Sequence, residues 1–198
     1  MPRLDTFSFY LDSFNSHGET AKGVQWQSTQ SQERRFEVLR ACLPEDLSRL
    51  TIVDAGCGFG DFHRYLVRHG ETPGRYIGLD LMEPMVLAAR RRTGCEIRQC
   101  DVLHDRLPHA HYYVCSGAMN NLTRDETWAF IRRCYDSAET GFVFNLLKGT
   151  DGPGSYNYQQ PRDLIELADA LGAETRLTEG YLSGDFTLAF IKPDAGAV

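Results

Sequence analysis

From residue 51 onward, short apolar runs alternate with stretches of helical periodicity. The runs TIVDA (51–55), RYIGL (75–79), CEIRQ (95–99), YYVCS (112–116) and GFVFNLL (141–147) have the length and the β-branched or aromatic content of strands. Helices lie between them. The stretch after residue 60 reads as one. EPMVLAARRR (83–92) carries Pro84 in its first turn and Gly94 just past its end, and TRDETWAFIRRCYDSA (123–138) opens with Thr123 and Glu126 at the spacing of a capping box. Strands alternating with helices predict a parallel sheet covered on both faces.

After residue 160 the rhythm changes. PRDLIELADALG (161–172) gathers Leu164, Ile165, Leu167, Ala168 and Leu171 on one face of a helix. AETRLTEGY (173–181) and DFTLAFIK (185–192) then read as an antiparallel hairpin turning near Ser183 and Gly184. Upstream, an aromatic start (TFSFYLDSF, 6–14) and a polar stretch (GVQWQSTQSQ, 23–32) precede a helix, ERRFEVLRACL (33–43), which Pro44 stops. Residues 1–50 are too few for a separate domain, so they are expected to form a helical extension or lid packed on a core at 51–198.

A chain of 198 residues with 42% hydrophobic content can bury one sizeable core. It holds no run of about 18 apolar residues, and its start lacks the basic region and apolar core of a signal peptide, so a cytoplasmic location without membrane contact is expected. The net charge of −6 disfavours a nucleic-acid partner, although ARRRTGCEIR (89–98) is locally basic. None of the six cysteines forms a C-x-x-C pair, and His109 and His111 have no second ligand pair at a suitable spacing. The expectation is buried thiols and no metal.

The chemistry concentrates in TIVDAGCGFGDFHRYL (51–66), where Gly56, Gly58 and Gly60 follow Asp54 between a strand and a helix. Three glycines at such a junction point to a tight turn or a close approach, and the loop is expected to present free backbone N–H groups to a nucleotide-like ligand. Such ligands sit beyond the carboxyl ends of the strands, where strand order reverses. Asp80 ends the second strand about 20 residues on, where a carboxylate can accept from both hydroxyls of a ribose. The glycine run is G-x-G-x-G rather than the dinucleotide G-x-G-x-x-G, with Asp61 where the last glycine would fall. Without a pyrophosphate to approach, an acid there is tolerable, and useful beside a positively charged ligand.

VDAGCGFGD (53–61), GLDLMEPMVLAAR (78–90) and CDV (100–102) together resemble the first motif, the second strand with its helix, and the third-strand acid of the class I S-adenosylmethionine-dependent methyltransferases. The resemblance spans roughly 51–147. It implies an α/β, three-layer Rossmann-like fold with a mostly parallel seven-stranded sheet and a C-terminal antiparallel hairpin, and S-adenosylmethionine as cofactor. It also implies residue roles. Asp54 and Gly56 would lie near the methionine moiety, Cys57 and Gly58 in the loop, and Asp80 on the ribose. Leu81 and Met82 would flank the adenine, Asp101 and Val102 would meet its edge, and Ser116 and Gly117 would border the sulfonium. GVQWQSTQSQERRF (23–36) resembles an upstream segment of some bacterial relatives, which implies that Trp26, Ser31 and Gln32 shape the pocket. Packing of Trp26 and capping by Ser31 stand as the alternative.

Methyl transfer from a sulfonium is an in-line displacement, so the protein chiefly aligns the nucleophile about 3–3.5 Å from the methyl carbon and excludes water. A base is optional and depends on the acceptor. His109 and His111 precede the fourth strand, at the wrong end of the sheet, while His104 and His17 are more often surface or structural residues than bases. No catalytic residue is assigned. The substrate-facing candidates are Asn120 and Asn121 in SGAMNNL (116–122) and Tyr156 and Tyr158 in GTDGPGSYNYQQ (149–160). The compact chain favours a small-molecule acceptor, and no Asn-Pro-Pro-Tyr sequence points to base or glutamine nitrogens. Two rivals remain. An NAD-dependent oxidoreductase would leave Asp101 and the hairpin unexplained, and a non-catalytic S-adenosylmethionine-binding regulator or partner protein would need no catalytic residue. The sequence leaves the oligomeric state open.

Overall fold

The structure is a computed structural model that describes residues 29–150 and 156–193. Trp26 and His17 lie outside the described residues.

The first five strands are buried almost throughout, as strands covered on both faces must be, except the third, an edge strand in which only Ile97 is buried. They are β1 (Thr51–Ala55), β2 (Arg75–Asp80), β3 (Glu96–Gln99), β4 (Ala110–Ser116) and β5 (Ala138–Lys148). A two-residue strand, β6 (Tyr158–Gln159), pairs in parallel with the end of β5. The hairpin is β7 (Glu174–Glu179) and β8 (Asp185–Ile191). The order is β3-β2-β1-β4-β5-β8-β7, parallel through β5 and antiparallel at β8 and β7. The seven strands and the closing hairpin are those expected. β5 extends beyond both expected ends, because β4 and β8 pair with it on its two sides and satisfy its backbone along most of its length. β6 was not expected. Its two residues carry no periodicity, and pairing with β5 alone defines it.

Among the described residues, five helices and a short turn cover the sheet. α1 (Thr29–Ala41), α2 (Asp61–Arg68) and α3 (Glu83–Thr93) share one face, where Phe36, Leu39, Phe62, Leu66, Val86 and Ala89 form a core with Ile52, Val114 and Val143. α4 (Arg124–Ser137) and α5 (Pro161–Ala170) cover the other with Phe130, Ile131, Leu164 and Leu167 against Phe142, Phe144 and Leu188. A short 3-10 turn spans Ala118–Asn121. The local signals act as read: Thr123 and Glu126 form a complete capping box, and Gly94 ends α3 in the left-handed region at φ 68°, its N–H on the Arg90 carbonyl. α1 begins at Thr29, four residues before the expected start at Glu33, and its added turn buries Gln32 against the core. The buried Arg35–Asp185 ion pair ties this helix to the start of β8.

Strand order reverses between β1 and β4, and a crevice opens beyond their carboxyl ends, where α/β sheets bind ligands. The Gly56 and Ala118 backbones meet there so closely that a Cβ on Gly56 would lie 2.1 Å from that of Ala118.

Candidate functional site

The loop after β1 shapes the crevice through three glycines in the left-handed region, with φ of 80° at Gly56, 53° at Gly58 and 75° at Gly60. This path turns its amides inward. The N–H groups of Gly56 and Cys57 both donate to the Leu79 carbonyl, at 2.7 and 2.9 Å, that of Gly58 donates to Asp80, and that of Gly60 to the Cys57 carbonyl. The expectation of free N–H groups therefore fails at these four positions. Inward-turned amides suit a ligand without a phosphate, since a pyrophosphate would need those donors.

Asp80, at the end of β2, receives the Gly58 N–H at 2.8 Å on Oδ2 and the Met82 N–H at 2.9 Å on Oδ1. Burial pushes its carboxyl up to about 6, and these two N–H groups pull against that rise. Each oxygen keeps a second lone pair for a hydroxyl donor. Asp54, at the end of β1, is buried and accepts the Tyr76 hydroxyl at 2.5 Å. Its carboxyl is pushed up to about 7 by burial, against the Tyr76 hydrogen bond and with the help of the charges of Asp80 and Asp61.

The same cavity is lined by Cys57, Leu81, Met82, Asp101, Val102, Ser116, Gly117, Asn120, Asn121 and Tyr156, so every cofactor residue the resemblance implied meets there, with three of the four acceptor candidates. Leu81, 39% exposed, and the buried Met82 offer an apolar surface fit for an adenine ring. Asp101 accepts the Leu103 N–H at 2.9 Å and lies 2.9 Å from His104 Nδ1, which fixes the carboxylate at the edge of that surface. Asn120 Oδ1 is buried without a protein partner among the described residues, a free acceptor on the cavity wall. Tyr158 is not among the lining residues. It sits on β6, and a Cβ on Gly149 would touch its ring.

Sequence reasoning missed several contributors. Phe36 of α1 lines the cavity unannounced, beside Gln32, which the resemblance had implied and which donates to Asp61 at 3.3 Å. Ser31 does not line it. Asn157, between the two tyrosines, joins the acceptor side together. Its N–H donates to the Asn120 carbonyl at 2.7 Å, and its side-chain amide donates to the Met119 carbonyl at 3.1 Å and to Thr127 Oγ1 at 2.6 Å. An asparagine between two aromatic residues gives no signal of such a role. The described histidines hold no place in the wall: His111 accepts the Thr51 N–H at 2.8 Å at the amino end of the sheet, and His104 lies 2.9 Å from Asp101. Among the described residues no three His, Cys, Asp or Glu side chains are grouped to hold a metal, all six cysteines are free, and no helix is long and apolar enough to cross a membrane.

Comparison with known proteins places this geometry. Residues 52–141 match the family model described as a methyltransferase domain. No curated protein sequence matches the chain. Magnesium protoporphyrin IX methyltransferase from Synechocystis PCC 6803, solved with bound S-adenosylhomocysteine, superposes with a TM-score of 0.71 at 16% identity, over 95% of this chain and 100% of that one. Human N-acetylserotonin methyltransferase in complex with S-adenosylmethionine gives 0.69 at 17% identity, over 97% of this chain and 60% of that one. An S-adenosylmethionine-dependent methyltransferase from Mesorhizobium loti gives 0.63 at 18% identity, over 80% and 98%. Residues 52–141 are thus similar to a methyltransferase domain, and the chain has the Rossmann-like fold of these solved methyltransferases.

Proposed function

We propose that the protein transfers a methyl group from S-adenosylmethionine to a small-molecule acceptor. The observation that carries this reading is the Asp80 carboxylate, held across the crevice by the Gly58 and Met82 N–H groups with lone pairs left for a ribose. The apolar shelf of Leu81 and Met82 fits the adenine beside it, Asp101 and Val102 fit its edge, and the acidic wall of Asp54 and Asp61 fits a positive methionine end. The bound cofactor supplies an electrophilic methyl on a sulfonium with a neutral thioether as leaving group.

The chain's part is placement. Ser116, Gly117 and Asn120 border the space where the acceptor approaches, with Tyr156 and the α1 residues Gln32 and Phe36 around it. This gives the segment before residue 51 the role of a cover, and residues 51–198 that of the core. The enclosing wall favours a small acceptor, in keeping with the magnesium protoporphyrin IX and N-acetylserotonin enzymes that share the fold. Among the described lining residues there is no histidine, lysine or arginine. Such a wall suits an acceptor that needs no protein base.

The same absence favours one other reading, a cofactor-binding protein without turnover. Incubation with S-adenosylmethionine and panels of phenols, amines, thiols, carboxylic acids, oligonucleotides and proteins separates them. Formation of S-adenosylhomocysteine with a small acceptor is expected. Tight cofactor binding with no turnover on any panel would support the non-catalytic reading, and turnover on macromolecules alone would overturn the small-molecule assignment.

A further inference from the structure

Four carboxylates line the cavity, and they differ in what the protein gives each of them. Asp80 has two backbone N–H donors. Asp61 has Arg92, at 2.5 Å, together with Gln32. Asp101 has the Leu103 N–H and His104. Asp54, 4% exposed, has among the described residues only the neutral hydroxyl of Tyr76 as hydrogen-bond partner.

The register explains how that contact arises. Ile52 pairs with Tyr76 and Asp54 with Gly78, so the Tyr76 ring rises along the same face of the sheet to reach the acid one pair further on. Gly78 has no room for a side chain on that face, where a Cβ would lie 2.6 Å from Ile97 Cδ1 and 2.7 Å from Cys57 Sγ. The His63 ring packs on Tyr76 at 4.8 Å between centroids and keeps the phenol in place, and His63 Nε2 in turn lies 3.2 Å from Cys95 Sγ. The other titratable groups that act on Asp54 are the Asp80 and Asp61 carboxylates and the Cys57 and Cys115 thiols, none of which brings positive charge. Arg92, beside this wall, is engaged by Asp61.

We propose that Tyr76 is a positioning residue that aims Asp54 at the cavity, and that binding of the positively charged cofactor expels a proton from Asp54 to solvent. This rests on the cofactor reading above. An enclosed carboxyl without a counter-charge keeps its proton, and a cationic ligand supplies the missing charge. Burial accordingly brings Asp54 up to about 7, and the Tyr76 hydrogen bond moderates the rise by favouring the ionised form. Tyr76 keeps its own proton, because burial pushes its hydroxyl well above the usual phenol range.

The test is titration calorimetry of the whole chain with S-adenosylmethionine and S-adenosylhomocysteine, in pairs of buffers of different ionisation enthalpy, which yields the protons released per ligand bound. At pH 6 the native protein is expected to release close to one proton more than Asp54→Asn, and the difference is expected to vanish by pH 8.5. Its affinity falls as the pH drops below 7, by up to about tenfold per unit. Tyr76→Phe removes the hydrogen bond that favours the ionised acid, so at pH 7.5 it releases more protons than the native protein. A tyrosine that merely fills space would leave that count unchanged. If Tyr76→Phe does not fold, the comparison with Asp54→Asn decides. Equal proton counts in the native protein and Asp54→Asn overturn the inference and leave the cofactor assignment standing, whereas absence of binding by both ligands overturns both.

Discussion

The backbone N–H of Gly58 donates to Oδ2 of Asp80 at 2.8 Å, so a single hydrogen bond ties the loop after β1 to the end of β2. The acid is therefore built into the loop as well as into the ligand site. Asp80→Ala is expected to weaken S-adenosylmethionine binding about 10- to 100-fold, the equivalent of hydrogen bonds to a charged group, and to cost about 1–3 kcal/mol of stability by orphaning the Gly58 and Met82 donors. Calorimetry and denaturant unfolding read the two effects separately. Unchanged affinity would remove Asp80 from the ribose role.

Gly56 and Gly94 both occupy the left-handed region, at φ 80° and 68°, but only Gly56 is crowded. A Cβ at Gly94 meets nothing within 4 Å, whereas one at Gly56 meets the Ala118 side chain. Gly94→Ala is expected to cost about 1–2 kcal/mol from backbone conformation alone. Gly56→Ala adds overpacking of about 1–3 kcal/mol and displaces the turn that carries Asn120. Pairing Gly56→Ala with Ala118→Gly should restore part of that second component in thermal unfolding. No recovery would mean that the contact is not what requires glycine.

Asn157 fastens the segment before β6 to the turn after β4 and to α4 through Asn120, Met119 and Thr127. Its loss should loosen the acceptor side and spare the cofactor side, which it does not touch. Asn157→Ala is expected to lower stability by about 1–3 kcal/mol and to keep S-adenosylhomocysteine affinity within about twofold. Once an acceptor is in hand, its KM should rise. A large loss of cofactor affinity instead would show that the two sides are one unit.

The two raised acids give the ligand-free protein a pH signature. Asp54 at about 7 and Asp80 at about 6 titrate above the ordinary unfolded carboxylate, so between about pH 4 and 7 the folded state binds more protons than the unfolded state. Their contribution to stability is full below the unfolded value and is lost as the pH rises through 6 and 7. Asp54→Asn is expected to flatten the fall in Tm between pH 5 and 8 and to raise the Tm at pH 8. A native profile that rises over that range and is unaltered by the substitution would contradict the burial argument.

Much of the fold is legible because each element carries its own periodicity and punctuation. TIVDA matches β1 residue for residue, Thr123 and Glu126 mark the start of α4, and Gly94 the end of α3. The cofactor side is legible for a related reason: Asp54, Gly56, Gly58 and Asp80 lie at strand ends, at spacings that the topology converts directly into proximity. What escapes is whatever depends on contacts distant in sequence. Tyr76 reads as an ordinary strand residue until the register sets it beside Asp54. Phe36 becomes part of the wall only because α1 packs across the sheet, and Asn157 becomes a tie only because β6 joins β5. Of the free N–H groups expected of the glycine loop, those of Gly56 and Cys57 go to the Leu79 carbonyl and that of Gly58 to Asp80, on a strand distant in sequence.

The roles of Asp80, Asp54 and the Leu81–Met82 shelf all depend on the identity of the cofactor. Titration calorimetry of the purified protein with S-adenosylmethionine, S-adenosylhomocysteine and NAD in parallel tests it most directly. Saturable binding of the first two, weakened in Asp80→Ala, and no binding of NAD are expected. Binding of NAD alone would contradict the assignment.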